Sequence, residues 1–241
     1  MLPLSAHTFN PIGRIHSCFK EKFGIPRQPG LVAEACASVE LLPPYDDAAA
    51  VRGLTEFSHI WLLFVFHANP PGRWRPTVRP PRLGGNRRVG VFASRSTFRP
   101  NPIGQSVVQL DGITHTGGRL ALDISGVDLL DQTPVLDIKP YLPYADALPH
   151  ATGGYAAERP ATPHKVSFSA QAEVSLREAG NHRGTDLRRL IEALLANDPR
   201  PAYRKEVARS RTYGMRLEAY NIEWVLEGEE VIVTAVRSVK T

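Results

Sequence analysis

Hydrophobic and polar residues alternate over many short stretches of this 241-residue chain, which predicts a protein built mainly of β-strands. Residues 57–66, which contain the longest apolar run at 60–66, are apolar on both faces and should form a central, buried strand. A short helix is expected between Asp46 and Leu54. The other strands expected in this part of the chain are 12–17, 33–41, 89–93, 105–110 and 119–127, followed by an extended segment at 135–144.

The last third of the chain has a different pattern. Residues 186–196 carry one apolar stripe, formed by Leu187, Leu190, Ile191, Leu194 and Leu195, which predicts an amphipathic helix. A strand is expected at 166–174, and a closing hairpin at 213–221 and 222–236 that turns near 227–230. Residues 149–163 are small and rich in proline, as linkers are. We therefore predict a β domain at 1–150, a linker at 151–165 and a small α+β domain at 166–241.

Composition narrows the class of protein. The 21 prolines and 19 glycines suit many short strands and turns. Cys18 and Cys36 lack the spacing of a metal site or a disulfide framework, so they indicate free thiols in a reducing cytoplasm. The sequence shows neither a signal-peptide pattern nor an apolar run long enough to span a bilayer. We expect a cytoplasmic protein with no membrane association and no bound metal.

The net charge is +5, and its distribution is uneven. Residues 57–110 contain no Asp or Glu and no Lys, but they contain eight arginines. Residues 111–146 contain six aspartates against only Arg119 and Lys139. Guanidinium groups fit phosphate well, and two adjacent segments of opposite charge predict one site that meets an anion on one side and a cation on the other.

The segment 94–104 carries arginines on a stiff backbone. Pro100 and Pro102 fix their own φ angles and hold Arg99 and Asn101 extended, so the side chains are aimed by a nearly rigid arch. Such an arch can hold charged groups over a ligand with little loss of entropy on binding. The alternative is an ordinary barrel corner in which the prolines only end the strands.

Several further stretches are candidates for binding. Arginines beside Trp74 in the connection 73–88 suit RNA, in which phosphates pair with guanidinium and bases stack on rings. Asp128, Asp131 and Asp137 could bind ribose hydroxyls or a cationic ligand, or could simply cap turns. Residues 198–205 form a second basic, proline-stiffened arm that contains a tyrosine.

Six blocks in order along the chain resemble the TrmO family of tRNA methyltransferases, also called TsaA or YaeB. They read KEKFGIPRQPG, AVRGLTEFSHIWLLFVFH, WRPTVRPPRLGGN, VGVFASRSTFRPNPIG, DQTPVLDIKPYLPYAD and DPRPAYRK. The resemblance implies an N-terminal β-barrel that binds S-adenosylmethionine without a Rossmann fingerprint, a small C-terminal domain and a homodimer. The implied reaction is methyl transfer to N6 of N6-threonylcarbamoyladenosine beside the anticodon of a threonine tRNA.

The resemblance also implies site residues. The cofactor contacts would be Pro26, Arg27, Gln28, His67, Ala68, Arg95, Gln105, Gly126, Val127, Asp128, Leu129, Leu130 and Asp131. Two positions depart from the usual family pattern. Gln132 stands in place of glycine, which puts the local turn geometry in doubt, and Ser94 stands in place of a common threonine.

The tRNA contacts and the catalytic group are predicted from chemistry and position. The candidates for tRNA contact are Arg73, Arg75, Arg79, Arg82, Arg99, Lys139, Tyr141, Tyr144, Arg200, Tyr203, Arg204 and Lys205. The accepting nitrogen is a poor nucleophile, so we hypothesise that Asp137 accepts its proton and that Arg99 meets the threonyl carboxylate. Two alternatives remain: a non-catalytic RNA-binding module, and a methyltransferase that acts on a small molecule.

Overall fold

A computed structural model describes residues 6–179, 186–200 and 211–239. In the first part of the chain the strands are β1 (Gly13–Ser17), β2 (Cys36–Leu41), β3 (His59–Val65), β4 (Thr77–Val78), β5 (Val89–Gly90), β6 (Ile103–Thr116), β7 (Arg119–Ser125) and β8 (Pro134–Pro140). Helix α1 (Pro143–Asp146) follows them. In the second part lie β9 (Lys165–Phe168), α2 (Ala170–Ala179), α3 (Leu187–Ala196), β10 (Tyr213–Leu217), β11 (Tyr220–Glu227) and β12 (Glu230–Ser238). The prediction of a mainly β protein is confirmed.

Six strands form a closed barrel in the order β1-β2-β7-β6-β3-β8, and β8 returns to pair with β1. All these pairs are antiparallel. Alternate residues of β3, Ile60, Leu62 and Phe64, point into the barrel and are buried. Gly104 of β6 lies opposite Phe64, and a Cβ at that position would come within 2.3 Å of the phenyl ring. Glycine is therefore required at position 104, where β6 packs against the Phe64 ring.

The last strands form a second sheet in the order β10-β11-β12-β9, with β9 parallel to β12. Helix α3 is capped by Asp186, whose side chain accepts from the amide of Arg189, and the predicted helix is confirmed. Buried residues of this sheet and its helices join the barrel interior in one continuous hydrophobic core. The division at residues 150 and 165 stays a prediction.

Some predicted elements were wrong. Residues 89–93 form a two-residue strand and then a 3₁₀ turn, which is closed by a hydrogen bond from the amide of Ser94 to the carbonyl of Val91. The strand predicted at 166–174 ends at Phe168, since the Ser169 hydroxyl accepts from the amide of Ala172 and starts α2. The short helix predicted between Asp46 and Leu54 is replaced by 3₁₀ turns at Ala48–Val51 and Leu54–Glu56. The hairpin strand predicted at 213–221 is divided by a turn at 218–219.

The central strand β3 was predicted to be buried on both faces, and this is also wrong. His59, Trp61, Leu63 and Val65 point outward and are only half-buried. The outer face of β3 borders a cavity rather than a packed layer, which explains why apolar residues there remain partly exposed. In the described part of the chain, no helix is both long and apolar enough to cross a membrane.

Candidate cofactor and RNA site

Three long loops leave the same end of the barrel. Because neighbouring strands run in opposite directions, the ends of β1, β3 and β7 lie beside the beginnings of β2, β6 and β8. The connections 18–35, 66–102 and 126–133 therefore meet there, and we call this the loop end of the barrel. Every predicted cofactor residue except Gln105 lies in one of these three loops. The fold thus gathers residues that are up to 105 positions apart in sequence, from Pro26 to Asp131.

The turn 126–133 is fixed by the first strand and the loop that follows it. The carbonyl of Gly126 accepts from the amide of Gly30 at 2.8 Å. The hydroxyl of Ser17 donates to the carbonyl of Leu129 at 2.7 Å. Asp131 accepts from the amide of Ser17 at 3.0 Å and lies 3.0 Å from the ammonium of Lys20. The turn is therefore held in place by backbone and side-chain bonds on both sides.

Gln132, the departure from the family pattern, has a φ of 65°. This left-handed region favours glycine, because a Cβ crowds the following carbonyl there. The structure keeps the glycine-like turn with a glutamine in it. The departure therefore leaves the turn geometry intact and places a modest conformational cost at this position.

Asp128 is the most perturbed carboxyl group of the loop end. Its Oδ1 accepts from the hydroxyl of Ser106 at 2.7 Å. Burial raises the pKa of Asp128 from 3.8 to about 6, although the Ser106 hydrogen bond and the charge of Arg95 act in the opposite direction. A buried carboxylate of this kind is complementary to a cation that can enter the site and replace the lost water.

The loops are also linked to one another. Arg95 is exposed and donates from Nη1 to Oε1 of Gln28, which joins the second loop to the first. The ammonium of Lys22 donates to the carbonyl of Ala68 at 2.7 Å. His67 and Ala68 themselves are exposed at the end of β3. The structure thus brings the predicted cofactor residues of all three loops into one bonded network.

A cavity of about 430 Å³ lies beside this network, against the outer wall of β3 and β6. It is lined by Pro29, His59, Trp61, Arg95, Gln105, Val107, Tyr141 and Asp146. The indole Nε1 of Trp61 donates to Asp146 at 3.0 Å, and the Tyr141 ring lies 5.9 Å from the Trp61 ring. Arg95 and Gln105 therefore lie between an aromatic cavity and the loop network.

Asp137 and Lys139 lie on the same outer wall as that cavity. Asp137 pairs with Leu63 across the sheet, and Leu63 pairs in turn with Gln105, so the three form one row. The Asp137 carboxylate is 2.7 Å from the Lys139 ammonium, and both side chains are partly exposed. Among residues 6–179, 186–200 and 211–239, no group of three or more His, Cys, Asp or Glu is arranged to hold a metal ion.

The predicted tRNA-contacting arginines differ in how much they are held. Arg73, Arg75 and Arg79 are exposed. Arg82 donates to the carbonyl of Glu158 at 2.6 Å. Arg99 donates to the carbonyl of Ser94 at 2.8 Å, so its guanidinium braces its own arch. Tyr144 is 87% exposed at α1. The five arginines lie in the connection 66–102 of the loop end, whereas Tyr144 follows β8 at the opposite end of the barrel.

The structure does not support the tRNA contact predicted for Arg200. Only 8% of the residue is exposed. Its guanidinium makes two hydrogen bonds to the Asp198 carboxylate, at 2.8 and 3.1 Å, and this buried pair leaves it out of reach of a phosphate. Tyr203, Arg204 and Lys205, predicted in the same arm, lie outside the described residues.

Sequence reasoning missed three residues that shape the site. Ser106 is a hydroxyl at an inward position of an apolar strand, which is a detectable sign of a buried hydrogen bond. Trp61 was treated only as core, and its outward position follows from strand alternation. Asp198 was counted as the first residue of the basic arm 198–205, although the sequence places it two residues from Arg200.

The loop end of the closed β-barrel thus brings an acidic turn together with an arginine-rich connection. Two family models match the chain: the tRNA-methyltransferase O N-terminal domain at residues 14–147, and the TrmO C-terminal domain at residues 161–239. The chain belongs to the TrmO family.

Named relatives and solved structures agree with this. The tRNA (adenine(37)-N6)-methyltransferase of Escherichia coli strain K12 is 52% identical over 221 residues, which cover 92% of this chain and 94% of that protein. The mouse tRNA (adenine(37)-N6)-methyltransferase is 46% identical over 134 residues, 55% of this chain and 30% of that protein. A crystal structure of TrmO from Pseudomonas aeruginosa superposes with a TM-score of 0.81 at 43% identity, covering 98% of this chain and all of that one.

Proposed function

We propose that this protein is a tRNA methyltransferase that transfers the methyl group of S-adenosylmethionine to N6 of N6-threonylcarbamoyladenosine beside the anticodon of a threonine tRNA. We further propose that it works in the cytoplasm as a homodimer and without a metal ion. The observation that supports the reaction most is the convergence of the three loops, one of which carries the half-buried carboxylate of Asp128. The enzymatic relatives named above support the same reaction class.

The residues present fit S-adenosylmethionine. Its sulfonium and amino groups are cationic and are complementary to Asp128 and Asp131, whereas its carboxylate and adenine polar atoms are complementary to Arg95 and Gln28. When bound, this cofactor supplies a methyl group already activated by the positive sulfur. The protein then has to hold donor and acceptor in line, which is a positioning effect. The cross-linked loops suit that task because little backbone freedom remains to be lost.

Transfer forms a bond between the methyl carbon and N6, breaks the bond from that carbon to sulfur, and leaves a neutral thioether. The N6 proton must go to an acceptor. Asp137 is our candidate, because its carboxylate lies on the wall that also carries Gln105 and the aromatic cavity. The ammonium of Lys139 lies 2.7 Å from that carboxylate.

The tRNA is expected to lie across the loop end and the aromatic cavity. The cavity offers ring faces on Trp61 and Tyr141 for a base, and Arg73, Arg75 and Arg79 offer charge for phosphates. An anticodon loop has unpaired bases that such rings can stack against.

Two measurements test this function. Calorimetric titration of the whole chain with S-adenosylmethionine should show binding, and its absence would favour a non-catalytic RNA-binding module. Nucleoside mass spectrometry of tRNA from a strain lacking the gene should show loss of the N6-methyl nucleoside. Unchanged tRNA in that strain would favour a methyltransferase acting on a small molecule.

Replacing Asp137 with Asn tests the proton acceptor. Because the amide cannot accept a proton, single-turnover methylation should slow by about 100-fold, while the affinity for S-adenosylmethionine changes less than about two-fold. The matched control is Asp46→Asn, in the β2–β3 connection at the opposite end of the barrel. An unchanged single-turnover rate would remove Asp137 from this role.

A further inference from the structure

The loop that carries Pro26, Arg27 and Gln28 is held mainly by the C-terminal part of the chain. Phe19 bridges to Leu217, and the amide of Glu218 donates to the carbonyl of Cys18 at 2.8 Å. The ring of Phe23 stacks on Trp224 with centroids 5.9 Å apart and planes 7° from parallel. The first cofactor loop is thus seated on β10 and β11 rather than on the barrel alone.

The last link of this contact surface reaches Arg27 itself. Its Nη2 donates to the backbone carbonyl of Arg200 at 3.0 Å. Asp198 also acts on Arg27 at longer range, since its negative charge favours the charged guanidinium that burial disfavours and so opposes the fall in the pKa of Arg27. The orientation of Arg27 therefore depends on where the backbone of Arg200 is fixed.

That backbone is fixed by a buried ion pair. The amide and guanidinium of Arg200 both donate to the Asp198 carboxylate, and Asp198 and Arg200 are only 5% and 8% exposed. The amide of Asp198 donates to the carbonyl of Leu195, which ties the pair to the end of α3. A continuous chain of contacts thus runs from α3 through Asp198 and Arg200 to Arg27.

We propose that Asp198 and Arg200 are positioning residues for the methyl-donor site: the buried pair holds the Arg200 carbonyl where it orients Arg27 and the loop 26–28 toward the cofactor. This inference rests on the proposed function, because it takes the loop 26–28 as part of the cofactor site. It assigns to the C-terminal part of the chain a role in cofactor binding, and it explains why a basic residue of the predicted RNA arm is buried.

A double-mutant cycle on the whole chain tests the proposal, with the Kd for S-adenosylmethionine and the kinetic constants as readouts. Asp198→Asn keeps a residue type that tolerates the φ of 49° at this position but removes the charge that holds Arg200. We expect its Kd and its KM for S-adenosylmethionine to rise about ten-fold, while kcat at saturating cofactor changes less than two-fold. We expect a similar rise for Arg27→Gln.

The decisive comparison is the double variant. If Asp198 acts through Arg27, adding Asp198→Asn to Arg27→Gln should change the Kd by less than about two-fold. Multiplication of the two separate effects would overturn the proposal.

Matched controls come from α3. Asp186→Asn keeps a residue that caps helices well, and Arg188→Gln removes an arginine that pairs on the surface with Glu173 and Glu192. Both should bind S-adenosylmethionine as the parent does. Asp198→Asn leaves Arg200 buried without its charge partner, and this could prevent folding. Arg27→Gln provides a second test of the proposal, because the exposed Arg27 can be changed with the buried pair intact.

Amide hydrogen exchange of residues 25–30 is the second readout for the Arg27→Gln variant. In Arg27→Gln the exchange should accelerate there while the helix α3 exchanges as before. Unchanged exchange together with parental cofactor affinity would overturn the positioning role alone. A parent protein that binds no S-adenosylmethionine would instead overturn the proposed function.

Discussion

The loop end of the barrel contains two regions that are built in different ways, the turn 126–133 and the arginine-rich connection 73–88. In the turn, Gly126, Leu129 and Asp131 are bonded to β1 and to the loop 18–35. The connection contains only the two-residue strand β4 and a 3₁₀ turn, and Arg73, Arg75 and Arg79 are exposed along it. The turn 126–133 thus holds its polar groups in place without a ligand, whereas the connection 73–88 exposes positively charged side chains to solvent.

The difference matches the ligands proposed for each region. A small cofactor binds tightly only when few groups need to be ordered, so its contacts belong on fixed backbone. A polyanion is attracted by charge over many positions, and its affinity depends on salt more than on the geometry of one contact. Changes in the turn 126–133 should therefore act on cofactor binding, and changes in the connection 73–88 should act on RNA binding.

The largest effect is expected from Asp128→Asn. Removing the buried carboxylate leaves a cationic ligand without its charge partner, so the Kd for S-adenosylmethionine should rise by about 100-fold, equal to about 2.7 kcal/mol. Calorimetric titration measures this directly, and Asp46→Asn is the matched control.

The pH dependence provides an independent check on the same residue. The parent should lose affinity as the pH falls through about 6, because Asp128 then takes up a proton, and the variant should lack this dependence. A variant that binds the cofactor like the parent at pH 7.5 would show that Asp128 does not face the cation.

The same substitution should stabilise the fold. The folded-state pKa of Asp128 is raised, so the favourable contribution of this group is present below pH 3.8 and is lost as the pH rises through about 6. At pH 7.5 the ionised buried carboxyl group costs up to about 3 kcal/mol, which a neutral Asn avoids. The Tm of Asp128→Asn should therefore exceed that of the parent by roughly 5 °C at pH 7.5.

This gain should shrink as the pH approaches 4, where the parent carboxyl group is neutral as well. Thermal unfolding at both pH values tests it. A lower Tm for the variant at pH 7.5 would show that the Asn amide lacks a hydrogen-bond partner in the buried site, and would contradict the predicted sign.

Local patterns of sequence were reliable where local physics decides the structure. The apolar stripe and capping Asp186 of α3 sufficed to place that helix, because both act within a few residues. The strand predicted at 166–174 failed because the same alternation of small and apolar residues also fits the first turns of α2. Choosing between them depends on the packing of α2 against the second sheet.

The candidate site was predictable in parts. Charge distribution identified the arginine-rich connection, but a count of charges could not show that Arg200 is buried against Asp198. The contacts of Arg95 with Gln28, and of Ser106 with Asp128, join residues 67 and 22 positions apart. Such contacts are set by the order of strands in the closed barrel, which no local pattern encodes.

The smallest effects are expected in the arginine-rich connection, and they should appear in RNA binding alone. Arg73→Gln, Arg75→Gln and Arg79→Gln should each weaken tRNA binding by about three-fold at moderate salt and lower the slope of log K against log salt by about 0.7 to 0.9. Arg52→Gln, exposed at the opposite end of the barrel, is the matched control. Filter binding across a salt series measures the slope, and calorimetry should give an unchanged Kd for S-adenosylmethionine. If these variants weakened cofactor binding as much as RNA binding, the two regions would form a single ligand site and the division between fixed and charged surfaces would not hold.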